Sequence, residues 1–192
     1  MIVGIDYSMS SPAVCVCAGE FKIENCKFLY ITSMKKYEGV YGQFEGVLVK
    51  DWEHNAERFD KLAQQVREYI FEHWPEGSAE PSIGLEGYAM GAKGQVFNIG
   101  ENTGILKHYI QVIEGWDLTT YAPSSVKKFA TEKGNANKEK MYEAFIEETG
   151  LDLEKTFGFD INPEKINGPI SDVVDAYYIA KIHSEVVSSI EN

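Results

Sequence analysis

Apolar and polar positions alternate from the start of the chain. In IVGIDY, Ile2, Gly4 and Asp6 share one face of an extended segment, and Val3, Ile5 and Tyr7 share the other. After the turn chemistry of SMSSP, AVCVCA resumes as a strand, and KFLYITS reads as a third. VYGQFEGVLV reads as a further strand interrupted by glycine. The period then changes. In HNAERFDKLAQQVREYIFEHW, Phe59, Leu62, Val66, Tyr69 and Ile70 fall at helical spacing, and Pro75-Glu76-Gly77 ends the helix.

SIGLE is a short apolar strand closing on a carboxylate, Glu86, and the glycine-rich loop GYAMGAKGQ follows it. VFNIGENTGILKHYIQVI predicts a helix with Gly100, Thr103 and Gly104 along one side, and LTTYA predicts a strand. PSSVKKFAT is a short helix opened by Pro123; NKEKMYEAFIEETG is an amphipathic helix closed by Gly150. Leu151 to Gly168 reads as irregular connection, and a final helix runs from Ile170 to Ile190. Neither repeat nor linker divides residues 1–192, so the expectation is one α/β domain, a mixed sheet with helices on its faces.

Composition narrows this only slightly. There is no leader pattern and no run of eighteen apolar residues, so a cytosolic protein that does not enter a membrane is expected. Cys15, Cys17 and Cys26 are odd in number and lie in or beside strands, which favours buried thiols over a disulfide framework or a metal pair. The net charge of −12 argues against a broad nucleic-acid surface. The distribution matters more. Between Pro123 and Glu143, Lys127, Lys128, Lys133, Lys138 and Lys140 face Glu132, Glu139 and Glu143, so this segment alone is basic.

Four acids stand out against the apolar pattern. Asp6 lies within an apolar strand, where an unpartnered carboxylate is costly. Glu86 ends another strand, and Asp172 and Asp175, three apart, share a face at the start of the last helix. Plain structural roles exist for some: a solvated strand end for Glu86, and a first-turn acid meeting the helix dipole for Asp172. The four histidines, His54, His73, His108 and His183, sit in helical contexts and read as structural or solvated.

Taken together, GIDYSMSSPAV, IGLEGYAM, YAPSSVKKFATEKGNANKEKM and SDVVDAYYIAKIH resemble, in order and spacing, the four motif blocks of RuvC-like Holliday junction resolvases. The resemblance spans nearly the whole chain. It implies an RNase H-like mixed sheet of five strands, three antiparallel and then parallel ones, with helices on both faces. It also implies a metal-dependent endonuclease that resolves four-way DNA junctions by paired nicks. Asp6, Glu86, Asp172 and Asp175 would hold two Mg²⁺ ions, with Mn²⁺ able to substitute, and Lys138 would join them as a catalytic cation. Two hard cations roughly 3.5–4 Å apart suit carboxylate oxygens better than Cys or His. Asp6, on a central strand, is the expected bridge between them.

Lys127 and Lys138 match the family's basic positions, with Lys128, Lys133 and Lys140 as further backbone contacts. Lysines elsewhere, such as Lys35 and Lys36, are expected to stay off the DNA. Tyr88 and Met90, in the loop after Glu86, would bind DNA, Tyr88 by stacking on a base. A homodimer and a bacterial or phage-infected host cytoplasm are further implications. Departures are Ala136 at the third block's second glycine, the length of the 151–168 connection and the strongly acidic charge. Alternatives are an RNase H-like nuclease for flaps, forks or RNA–DNA hybrids, and a catalytically inactive DNA-binding relative. The actin-like and sugar-kinase architecture needs two such domains, for which 192 residues are too few.

Overall fold

Alternation becomes a sheet in the computed structural model, which describes residues 1–88, 96–158 and 165–190. β1 (Ile2–Asp6) pairs antiparallel with β2 (Ala13–Cys17), setting Asp6 opposite Ala13, and β2 pairs antiparallel with β3 (Cys26–Thr32). On its other side β1 runs parallel to β6 (Ser82–Glu86), which runs parallel to β7 (Leu118–Tyr121). Beyond β3 lie β5 (Phe44–Leu48), parallel to it, and β4 (Gly39–Tyr41), antiparallel to β5.

The expected five strands are therefore seven, in the order β4-β5-β3-β2-β1-β6-β7. VYGQFEGVLV is a hairpin rather than one interrupted strand. Gly42, at φ 64, takes the left-handed conformation that reverses the chain there.

The two faces of the sheet carry different helices. Val3, Ile5, Val14, Val16, Leu29 and Ile31 pack beneath α1 (Asn55–His73) and α2 (Val96–Lys107), which continues into a π-helical turn over His108–Ile113. Cys15, Cys17, Phe28, Tyr30 and Phe44 pack beneath α3 (Pro123–Thr131), α4 (Lys138–Thr149) and α6 (Ile170–Ile190). All three cysteines are buried and free, as their strand positions implied. The 151–168 connection is less irregular than expected, since it holds α5 (Leu153–Phe157), whose Phe157 ring meets Tyr30, Tyr41 and Phe44.

Gly4 decides where α6 can lie. A Cβ there would come within 2.2 Å of the Ala180 backbone nitrogen and 2.4 Å of the Ala176 carbonyl oxygen. The missing side chain lets the helix backbone rest on β1. β1, β3, β5, β6 and β7 all point the same way, so Asp6, Thr32, Leu48, Glu86 and Tyr121 end along one edge of the sheet. Among the described residues no helix is long and apolar enough to cross a membrane.

Candidate metal and nucleic-acid site

At that edge three elements converge. Asp6 closes β1 on its α6 face, Glu86 closes the neighbouring parallel strand, and α6 carries Asp172 and Asp175 in its opening turns. The carboxylates feel one another. Burial pushes Asp6 well above the usual carboxylate range, and Glu86, Asp172 and Asp175 push it further. Burial and then Asp175 raise Glu86 to about 7; burial and then Asp172 raise Asp175 to about 6. Asp172 is raised chiefly by burial.

Two cations oppose this repulsion. Lys138 draws all four acids down, and Lys127 acts on Glu86 and Asp175. Lys138 is the first residue of α4, whose start is fixed by Asn137 accepting from the Lys140 amide at 3.1 Å. Its ammonium donates to Ser171 Oγ at 3.0 Å, and Ser171 Oγ donates to Asp172 Oδ1 at 3.0 Å. Sequence reading missed Ser171, for which adjacency to Asp172 was the available signal.

The donor chemistry fits hard divalent cations, and two details support that fit. Asp172 Oδ2 is buried without a hydrogen-bond partner. A Cβ on Gly168 would lie 2.4 Å from that oxygen, so only glycine fits beside it. Among the described residues, no three His, Cys, Asp or Glu side chains are gathered closely enough to form a ready-made cage. Four like charges partly shielded from water repel each other, and two lysines offset only part of that repulsion.

A cleft of about 300 Å³ opens beside Asp6 and Glu86, lined also by Ser8, Ser10, Tyr88 and Thr103. The turn over it is organised by Ser8, whose Oγ accepts from the Ser11 amide at 2.9 Å. Asn102, fully buried on α2, donates to the Ser8 carbonyl at 3.4 Å; no motif pointed to it. Tyr88 is 46% exposed at the cleft rather than folded into the core, with Lys107 Nζ 5.7 Å from its ring centroid.

The remaining residues separate. Lys133 and Lys140 line a different groove with Glu132, Glu143 and Glu147, and Lys128 is exposed on α3. Met90 lies outside the described residues. Ala136, in place of a glycine, is buried in the core beneath α4 and α6. His183 is structural: Ser82 Oγ meets its Nε2 at 2.9 Å and Tyr121 OH its Nδ1 at 2.8 Å, while burial lowers its pKa.

Comparison with solved structures decides the fold. RuvC of Thermus thermophilus, in a structure described as a complex with Holliday junction substrate, superposes with a TM-score of 0.62 at 18% identity. That alignment covers 97% of this chain and 95% of that one. The chain has the RuvC fold. A second Thermus thermophilus RuvC structure gives a TM-score of 0.57 at 15% identity, covering 97% of each chain. Neither a family model nor a curated protein sequence matches the chain. The likeness to RuvC is therefore one of architecture.

Proposed function

We propose that this chain is a metal-dependent endonuclease that nicks branched DNA, with four-way junctions as its principal substrate. The observation that carries the reading is the convergence of Asp6, Glu86, Asp172 and Asp175 beside Lys127 and Lys138. They meet at one sheet edge of a fold shared with a protein solved on a Holliday junction.

Asp6, Glu86, Asp172 and Asp175 would hold the cations. Bound there, two Mg²⁺ ions, or Mn²⁺ in their place, would activate water near neutral pH and neutralise the departing oxygen. Lys138, fixed through Ser171, would set a positive charge against the scissile phosphate, and Lys127 would flank it. Tyr88 presents an exposed ring for stacking on an unpaired base. Lys128, Lys133, Lys140 and Met90 would add contacts farther along the DNA.

A four-way junction offers two symmetry-related strands, which suits a homodimer. The outer side of α2 supports one. Phe97 is 86% exposed, and added Cβ atoms at Gly100 and Gly104 would meet nothing within 4 Å.

The test is incubation of labelled four-way junction, flap, fork, RNA–DNA hybrid and duplex with Mg²⁺. Wild type is expected to cut the junction in preference to duplex. Asp6→Asn, Glu86→Gln and Asp175→Asn are expected to abolish cutting while still binding the junction. Ca²⁺, with looser coordination, should support binding but little cutting. Full activity in any of the three variants would overturn the metal-site assignment, and preference for flaps or hybrids would replace the substrate.

A further inference from the structure

A second cleft, of about 230 Å³, lies across the Ser8–Ser11 turn from the carboxylate cleft and is lined by Ser10, Ser11, Thr32, Met34, Tyr37 and Gly168. Ser10 borders both clefts. Gly168, which lines this cleft, abuts Asp172 so closely that a Cβ there would lie 2.4 Å from its Oδ2. β3 ends at Thr32 on the same sheet edge as Asp6, and Ser33, Met34 and Tyr37 just beyond it line this cleft together with Ser10 and Ser11.

The lining is mixed in a particular way. Hydroxyls of Ser10, Ser11 and Thr32 offer hydrogen bonds, while Met34 and Tyr37 offer flat or pliable apolar surface. Met34 is 53% exposed, and Thr32 Oγ1 accepts its backbone amide at 3.1 Å, holding the residue at the rim. Lys36 Nζ stands 4.6 Å from the Tyr37 ring centroid, and Lys35 is exposed beside it, paired with Glu38. A polar edge, apolar faces and adjacent cations match the base and phosphate of one nucleotide rather than a purely apolar ligand.

We propose that this cleft is a nucleotide subsite for the cleaved strand, which runs from Lys127 and Lys138, past the carboxylates and over the Ser8–Ser11 turn. One base lies against Met34 and Tyr37, and Lys35 and Lys36 meet the backbone beyond it. Two lysines outside the basic segment of the sequence thereby belong to the DNA path, because the topology brings the end of β3 to the same edge. The inference rests on the nuclease reading and adds where the strand goes.

The test walks a single abasic residue through the nucleotides flanking the cut in a four-way junction, with wild type, Met34→Ala and Tyr88→Ala. Wild type is expected to show a position where removing the base raises KM about tenfold with kcat held, within what base stacking supplies. Met34→Ala should raise KM on the intact junction by a similar factor and lose sensitivity at that position alone. Tyr88→Ala should lose sensitivity at a different position. Lys35→Ala and Lys36→Ala should each lower the log–log salt slope of binding by about one. If Met34→Ala keeps the wild-type abasic profile, or the lysine variants keep its slope, the subsite is wrong while the nuclease stands. If wild type neither binds nor cuts branched DNA, the nuclease reading falls and this inference with it.

Discussion

A carboxylate ending a buried strand is costly alone, and Asp6 stands near three others, Glu86 at the end of β6 and Asp172 and Asp175 at the start of α6. This gives the metal-free protein a pH dependence whose sign follows from the raised carboxylates. Glu86, raised to about 7 from an ordinary 4.5, and Asp175, raised to about 6 from 3.8, hold protons more tightly folded than unfolded. Their stabilising contribution is complete below the unfolded values and is lost as pH rises through about 6 to 7. In EDTA, thermal melting of wild type should therefore decline, relative to a Glu86→Gln/Asp175→Asn double variant, between about pH 4 and 7. Saturating Mg²⁺ should raise wild-type melting at pH 8 and leave the double variant nearly unmoved. Parallel pH profiles for the two proteins in EDTA would mean that the carboxylates do not share a site. At this scale composition offers Lys138 only as one lysine among five, and the motif resemblance sets it apart with Lys127. Its distinction from Lys133 and Lys140 comes from reaching Ser171 while they line an acidic groove.

Among the elements, the contact of α6 with β1 decides whether the site exists. Asp172 and Asp175 reach Asp6 because the helix backbone lies directly on Gly4. Gly4→Ala inserts a methyl against backbone rather than against a side chain that can swing away. It is expected to lose about 1–3 kcal/mol in urea unfolding, as overpacked cores do. It should also lose cleavage beyond what its folded fraction explains, because the helix must lift its two acids away from Asp6. Gly84→Ala, whose Cβ would meet His183 Cβ at 3.0 Å, should be milder on both counts. Equal loss of stability with normal cutting in Gly4→Ala would show that the acids do not depend on this packing. The added hairpin β4–β5 was only partly legible. Its alternation was visible, but a glycine within a strand pattern does not distinguish an interruption from a reversal until φ is known.

At the scale of the whole molecule, the exposed side of α2 carries the next prediction. Phe97→Asp places a charge on the face proposed to pair two copies and should convert a dimer to a monomer in sedimentation velocity. Folding should be unaffected, because Phe97 is 86% exposed. A monomer of this kind should still nick one strand of a junction but lose the coordination of the second nick. Identical sedimentation for wild type and Phe97→Asp, both monomeric, would remove the dimer from the proposal and leave the single-chain site intact.

Periodicity determined most of the elements, though neither the β4–β5 hairpin nor α5. Strand alternation in IVGIDY assigned Asp6 to one face, helical spacing set α1, and Pro123, Gly150 and the apolar run from Ile170 bounded the helices within a residue or two. Local propensity suffices there because caps, breakers and side-chain period act over a few residues. The four acids were also visible, since a carboxylate in an apolar pattern is conspicuous wherever it occurs. The motif resemblance grouped these charges, and the tertiary structure decided how they are brought together. Strand order set Glu86 beside Asp6, an absent Cβ at Gly4 admitted Asp172 and Asp175, and the common direction of β1 and β3 brought Met34 and Tyr37 to the same edge. Those relations join residues up to about 170 positions apart, and no local pattern encodes them, because burial and charge act through space rather than along the chain.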